Sequence, residues 1–185
     1  MAVKTFTTGE VLTASDTNTY LANAGLVYIT QATLAAAATV NVDNCFSSTY
    51  TNYVIKLWEI DTSAAGDVYF QIRGGTTIAT NYYWTRIGYS QFGASDNYAN
   101  NDTKFYLGYT DGTPKYTAAT IEVFQPNEAF QTKILSQFVS WNGASADMRN
   151  ASGFHDLATA YTGFSITSSV ATVGCKVAVY GVRGS

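Results

Sequence analysis

The chain has 185 residues, of which only 12% are charged, with a net charge of −3; an average soluble domain carries about 25% charged residues. Its Lys and Arg residues are scattered singly, so no basic patch offers the phosphate neutralisation that nucleic-acid binding requires, and no apolar run reaches the roughly 20 residues of a membrane-spanning helix. The N-terminus lacks the charged and apolar regions of a secretory signal, and the length suffices for one sizeable core without staples.

The stretch FTTGEVLTASDTNTYLANAG (6–25) reads as a short helix with its own punctuation. Thr13 followed by Asp16 fits a capping box, Tyr20, Leu21 and Ala24 form a narrow apolar stripe, and Gly25 suits a left-handed stop. A helix of about three turns is unstable alone in water, so it needs a surface to lie on. From Leu26 the pattern changes to period two. Strands are predicted at 26–31, 39–42, 53–60, 67–73, 82–89, 104–110, 118–124, 130–139, 163–167 and 172–182. The Ala-rich link TLAAAAT fits either a helical turn or an extended edge. The Asx-rich ASDNYANND (94–102) reads as a loop. About ten short strands separated by Asp-Gly, Gly-Gly and Asn-Gly turns predict an all-β fold. The expected architecture is an antiparallel two-sheet sandwich, jelly-roll-like, preceded by a short N-terminal helix. Two units follow: an N-terminal arm at 1–25, whose short helix lies against its own domain or another protein, and a β-sandwich domain at 26–185.

Chemistry-bearing residues are sparse. His155 is the sole histidine, with Asp156 beside it and Ser152 and Ser165 near in sequence, but no nucleophile-elbow motif accompanies it. It reads as a loop histidine, hydrogen-bonded or solvated. Glu59 and Asp61 share a strand face near its end, where charges meet water. Asp96, Asn97, Asn100, Asn101 and Asp102 are hard oxygen ligands without the alternating positions and closing Glu of a calcium loop. Cys45 and Cys175, each flanked by apolar residues, read as two buried free thiols in strands, and no metal spacing is present. No catalytic residue, metal or cofactor is therefore expected.

Aromatics crowd the region from Tyr82 to Tyr116. Alternation sends Tyr83 and Ile87 to one face of their strand, and Tyr82, Trp84 and Arg86 to the other. One set faces the core, and the other faces water, a ligand or a subunit. Tyr and Trp are enriched at protein interfaces and also stack on sugar rings. Tyr82, Trp84, Arg86, Tyr89 and Tyr98 are accordingly the candidate receptor or subunit contacts.

Three segments carry a family resemblance. GEVLTA (Gly9 to Ala14) followed by Asp16, Asn18, Tyr20 and Leu21 resembles the N-terminal segment of many virion proteins of tailed bacteriophages. FSSTYTNYVIKL (46–57) looks like the F-x-S-x-Y-x-N-Y-x-I stretch of the same proteins. The ending, with Val179, Tyr180, Gly181 and Arg183, is similar to their last two strands, although Cys175 stands where a small or β-branched residue is more usual. The resemblance spans the chain, and the order of the segments is its most telling feature. It implies a non-enzymatic virion component, often a homotrimer, fixed to the particle by its N-terminal portion. Phe6, Val11, Leu12, Tyr20 and Leu21 would be the attachment and assembly residues. The implied partners are the chain itself and other virion proteins of capsid or tail, with a host-surface glycan for a fibre protein. Neither nucleic acid nor membrane insertion is implied. The first strand follows Gly25 with neither heptads nor repeats, which suits a block seated on a capsid better than a long fibre.

Overall fold

The computed structural model describes residues 7–11, 13–16, 25–90, 93–112, 117–141 and 143–182. Its strands are β1 (Leu26–Ala37), β2 (Thr39–Val42), β3 (Asn52–Thr62), β4 (Gly66–Arg73), β5 (Tyr82–Ser90) and β6 (Gly93–Asp102), then β7 (Phe105–Thr110), β8 (Ala118–Phe124), β9 (Thr132–Trp141), β10 (Ala146–His155), β11 (Gly163–Ser168) and β12 (Val173–Val182). All pairings are antiparallel. They build a large sheet of eight strands, ordered β1-β12-β3-β8-β9-β10-β5-β6, and a small sheet of four, ordered β2-β11-β4-β7. The hairpins β5–β6 and β9–β10 both extend the large sheet beyond β8.

The all-β, two-sheet expectation holds, and several local expectations are corrected. Among the described residues helical geometry covers Ala14–Asp16; residues 17–24 lie outside the described residues, so the predicted helix and its stripe are not shown. Before it, Thr7 and Glu10 close a turn, with the Glu10 carboxylate accepting from the Thr7 amide at 3.1 Å. The Ala-rich link is extended, since β1 continues to Ala37. The predicted loop at 94–102 is strand β6, and 146–155, where no strand was expected, is β10. His155 therefore ends a strand rather than sitting in a loop.

Alternation supplies the core. Tyr53, Ile55 and Leu57 of β3, Val68, Phe70 and Ile72 of β4, Phe164 and Ile166 of β11, and Val173, Val177 and Val179 of β12 are all buried. Phe70 stacks on Phe164 at a centroid distance of 5.3 Å. In β3 the period slips at Glu59, whose φ of 51° marks a bulge opposite Gly174 and Lys176. Trp58 and Glu59 thus both avoid the core while Ile60 and Thr62 enter it.

β7, at the rim of the small sheet, lies across β9, β10 and β5 of the large one. Gly108 permits that approach: a Cβ there would lie 2.1 Å from Phe138 Cδ1. The ring of Phe138 occupies the space a side chain would need, and it is itself 1% exposed. Gly108→Ala is expected to destabilise the fold by about 1–3 kcal/mol through overpacking. Adding Phe138→Leu should recover part of that loss, measured by denaturant unfolding of both variants; a Gly108→Ala protein as stable as the parent would refute the contact.

Candidate functional site

The sequence left open which face of β5 enters the core, and the structure decides it. Tyr82 is 0% and Trp84 8% exposed, so their expected role as surface contacts is corrected: they are core residues. The Tyr82 hydroxyl accepts from Ile72 N and donates to Ile78 O, both at 2.9 Å. The Trp84 indole N–H reaches Asp102 Oδ2 at 3.1 Å and Lys104 O at 3.0 Å, and its ring stacks on Tyr106 at 5.5 Å. Arg86, on the same side, lays its guanidinium 4.1 Å from the Tyr106 ring centre. Nearby, Arg149 grips the buried Asp147 with two hydrogen bonds of 2.7 Å. Tyr89 and Tyr98 do face outward, Tyr98 with 71% exposure. Among the assembly residues Val11 is exposed, while Phe6, Leu12, Tyr20 and Leu21 lie outside the described residues.

Residues paired across neighbouring strands share a face, which fixes the outer surface of the large sheet in rows. One row runs Trp58, Ala118, Val139, Met148, Tyr89 and Ala94 from β3 to β6. The next runs Lys56, Thr120, Gln137, Asn150, Ile87 and Asp96, and the third Val54, Glu122, Leu135, Ser152, Thr85 and Tyr98. These three rows hold ten apolar, five neutral polar and three charged residues. Val139, Met148, Ile87, Tyr89 and Leu135 are large apolar side chains left exposed. Two adjoining depressions of about 400 and 500 Å³ meet at Thr120, Gln137 and Asn150. Clusters of exposed large apolar side chains on one face are a feature of interaction surfaces. Sequence reasoning overlooked β9 and β10 here, although a signal existed. In KILSQFVSW the outward set contains Leu135, Val139 and Trp141, whereas the inward set alternates Ile134 and Phe138 with Ser136 and Ser140.

The other sequence-derived sites fall elsewhere. His155 is 0% exposed, with Nδ1 3.3 Å from the Tyr161 hydroxyl and its ring against Tyr82 at 4.8 Å. Ser152 projects from the opposite face of β10, and the Ser165 hydroxyl donates to Asn41 Oδ1 at 2.9 Å on the small sheet. Glu59 is ion-paired with Lys176 at 2.7 Å and lines a depression of about 270 Å³ with Asp61. Cys45 and Cys175 are free and buried, Cys175 in β12 and Cys45 in the loop after β2. Burial pushes both thiols up to about 12, which keeps them protonated at neutral pH. Among the described residues no three His, Cys, Asp or Glu side chains form a metal-ligand group. No protein family, curated protein or solved structure matches the chain.

Burial holds His155 below its ordinary value of 6.5, partly offset by a Thr80 backbone hydrogen bond and the Asp156 charge. Below pH 6.5 the unfolded chain takes up a proton that the folded chain resists. Stability should therefore fall from pH 7.5 to 5.5, with a slope from this group of at most about 1.4 kcal/mol per pH unit. Denaturant unfolding of His155→Gln across that range should lose most of this dependence; an unchanged slope would assign it to other groups.

Proposed function

We propose that the chain is a non-enzymatic structural component of a tailed-phage virion, displayed on the particle surface, anchored by the arm at 1–25, and acting as a capsid decoration protein. The observation that carries this reading is the outer face of the large sheet, broad and with Val139, Met148, Ile87, Tyr89 and Leu135 left exposed on it. Such a face suits a chain that spends its life seated against neighbours, copies of itself or other virion proteins. The three sequence segments that resemble phage virion proteins give the particle its identity in this reading. A non-enzymatic role agrees with a sealed histidine and two protonated thiols. We read the winding as a jelly roll. With the hairpins β5–β6 and β9–β10 set aside, β1-β12-β3-β8 faces β2-β11-β4-β7, as in two interleaved Greek keys.

A second reading, a tail or fibre protein that binds a host glycan, draws on one observation. Tyr89 and Tyr98 stand exposed on the β5–β6 hairpin, and β6 is open to solvent along nearly its whole length. Exposed rings on a projecting hairpin can stack on sugars.

Antibody fragments against this chain, coupled to gold, should label the heads of intact particles of the phage that encodes it. Label confined to the tail would favour the glycan-binding reading. Absence of the chain from purified particles, checked by mass spectrometry, would overturn both.

A further inference from the structure

We infer that the outer face of the large sheet is closed by the same face of a second copy, in a two-fold pair whose axis runs parallel to the strands between β9 and β10. Such an axis keeps each row of side chains over itself and reverses the strand order. β10 of one copy then lies over β9 of its partner, β5 over β8, and β6 over β3. The rows are complementary under this reversal. In the first, Trp58 meets Ala94, Tyr89 meets Ala118, and Val139 meets Met148, so each large ring lies against a methyl group and the two flexible aliphatic chains meet at the axis. In the second, Lys56 meets Asp96, Thr120 meets Ile87, and the amides of Gln137 and Asn150 meet at the centre. In the third, Val54 lies under Tyr98, Leu135 under Ser152, and Glu122 has the Thr85 hydroxyl as its donor.

The charges are available for this. Lys56 donates to Thr120 Oγ1 at 2.9 Å, and among the described residues neither Lys56 nor Asp96 forms an ion pair within its own chain. Six strands about 4.8 Å apart, carrying three rows about 6.8 Å apart, present a plate on the order of 600 Å², at the lower end of what each partner buries in a stable interface. A stable interface buries about 800 Å² per partner. Two twisted sheets stacked face to face are the ordinary aligned packing of β structure. The homotrimer implied by the resemblance would need two different patches on each chain, because only a two-fold interface uses one patch against itself. The inference stands apart from the virion reading: a monomer would overturn the pairing alone, and absence from particles the virion role alone.

Sedimentation equilibrium of the full chain at micromolar concentration should give twice the 19.9 kDa chain mass. Val139→Glu combined with Met148→Glu, at half-exposed positions, should yield a monomer with unchanged circular dichroism and raise the dissociation constant at least about a hundredfold. Lys56→Glu and Asp96→Lys should each weaken the pair roughly tenfold, two ion pairs being lost per dimer. The double swap should restore it. Lys56 and Asp96 of one chain lie about 24 Å apart across the sheet, so rescue can act only between copies. A monomeric or trimeric parent, or a double swap no tighter than the single ones, would overturn the inference.

Discussion

The contact of Gly108 with the ring of Phe138 governs how the two sheets fit. A small sheet of four strands must cover the inner face of one with eight, and it does so only because β7 lies low enough across β9 to reach β10 and β5. Any side chain at position 108 would lift β7 by the width of a methyl group. The lowered strand brings Tyr106 under Trp84, and Arg86 then closes over the free face of Tyr106. Past that point β6 has no cover, and it is exposed on both faces. The core thus ends at the Trp84–Tyr106–Arg86 stack, and β6 beyond it is exposed.

The same crowding accompanies an inversion of polarity in β10. The inner face of β10 carries Asp147, Arg149, Ala151, Gly153 and His155, while its outer face carries Met148 and Phe154. Near the rim of the small sheet the interior is narrow and bounded by backbone. At Gly153 a Cβ would lie 2.0 Å from the Tyr83 carbonyl oxygen. Large apolar groups do not fit there, and the space is filled by a bidentate ion pair and by hydrogen-bonded rings. A buried pair of this kind adds little net stability, because desolvation offsets the attraction, but removing one partner costs about 3–5 kcal/mol. Both partners lie on β10, so the pair keeps the inner face of that strand charge-compensated. The large apolar side chains of β10, Met148 and Phe154, are left on its outer face.

Much of the fold was legible in the sequence, because period-two alternation and turn residues mark the central strands β3, β4, β8, β9, β11 and β12. β6 was not, because Asp96, Asn97, Asn100, Asn101 and Asp102 are the vocabulary of turns; a strand open to water on both faces needs no apolar alternation. β10 escaped for the opposite reason, since its buried positions are polar or small. In β5 the period was legible but its phase was not. Tyr82 and Tyr83 are equivalent as letters, and only the fold shows Tyr82 turned inward, its hydroxyl accepting from Ile72 N of β4 and donating to Ile78 O. The outer face of the large sheet was legible only in part, in the outward set of β9; the rest is a property of rows across strands, and rows depend on strand order.

Edge chemistry bears on how such a chain associates. Exposed strand edges invite pairing with other chains unless they are blunted. β1 is broken by irregular register between Tyr28 and Thr30 and between Leu34 and Ala37. β6 carries Asp96 and Asp102 and a register shift against Tyr82 and Trp84. In the small sheet β2 has four residues, and β7 is bulged against Val68 and Tyr69. Every edge is thus short, charged or irregular, and none offers a long regular ladder to a neighbour. The unsatisfied apolar surface lies instead on the flat of the large sheet, where its partner must bring side chains rather than backbone. Association through side chains demands a matching pattern, and across six strands that pattern is supplied by the face itself.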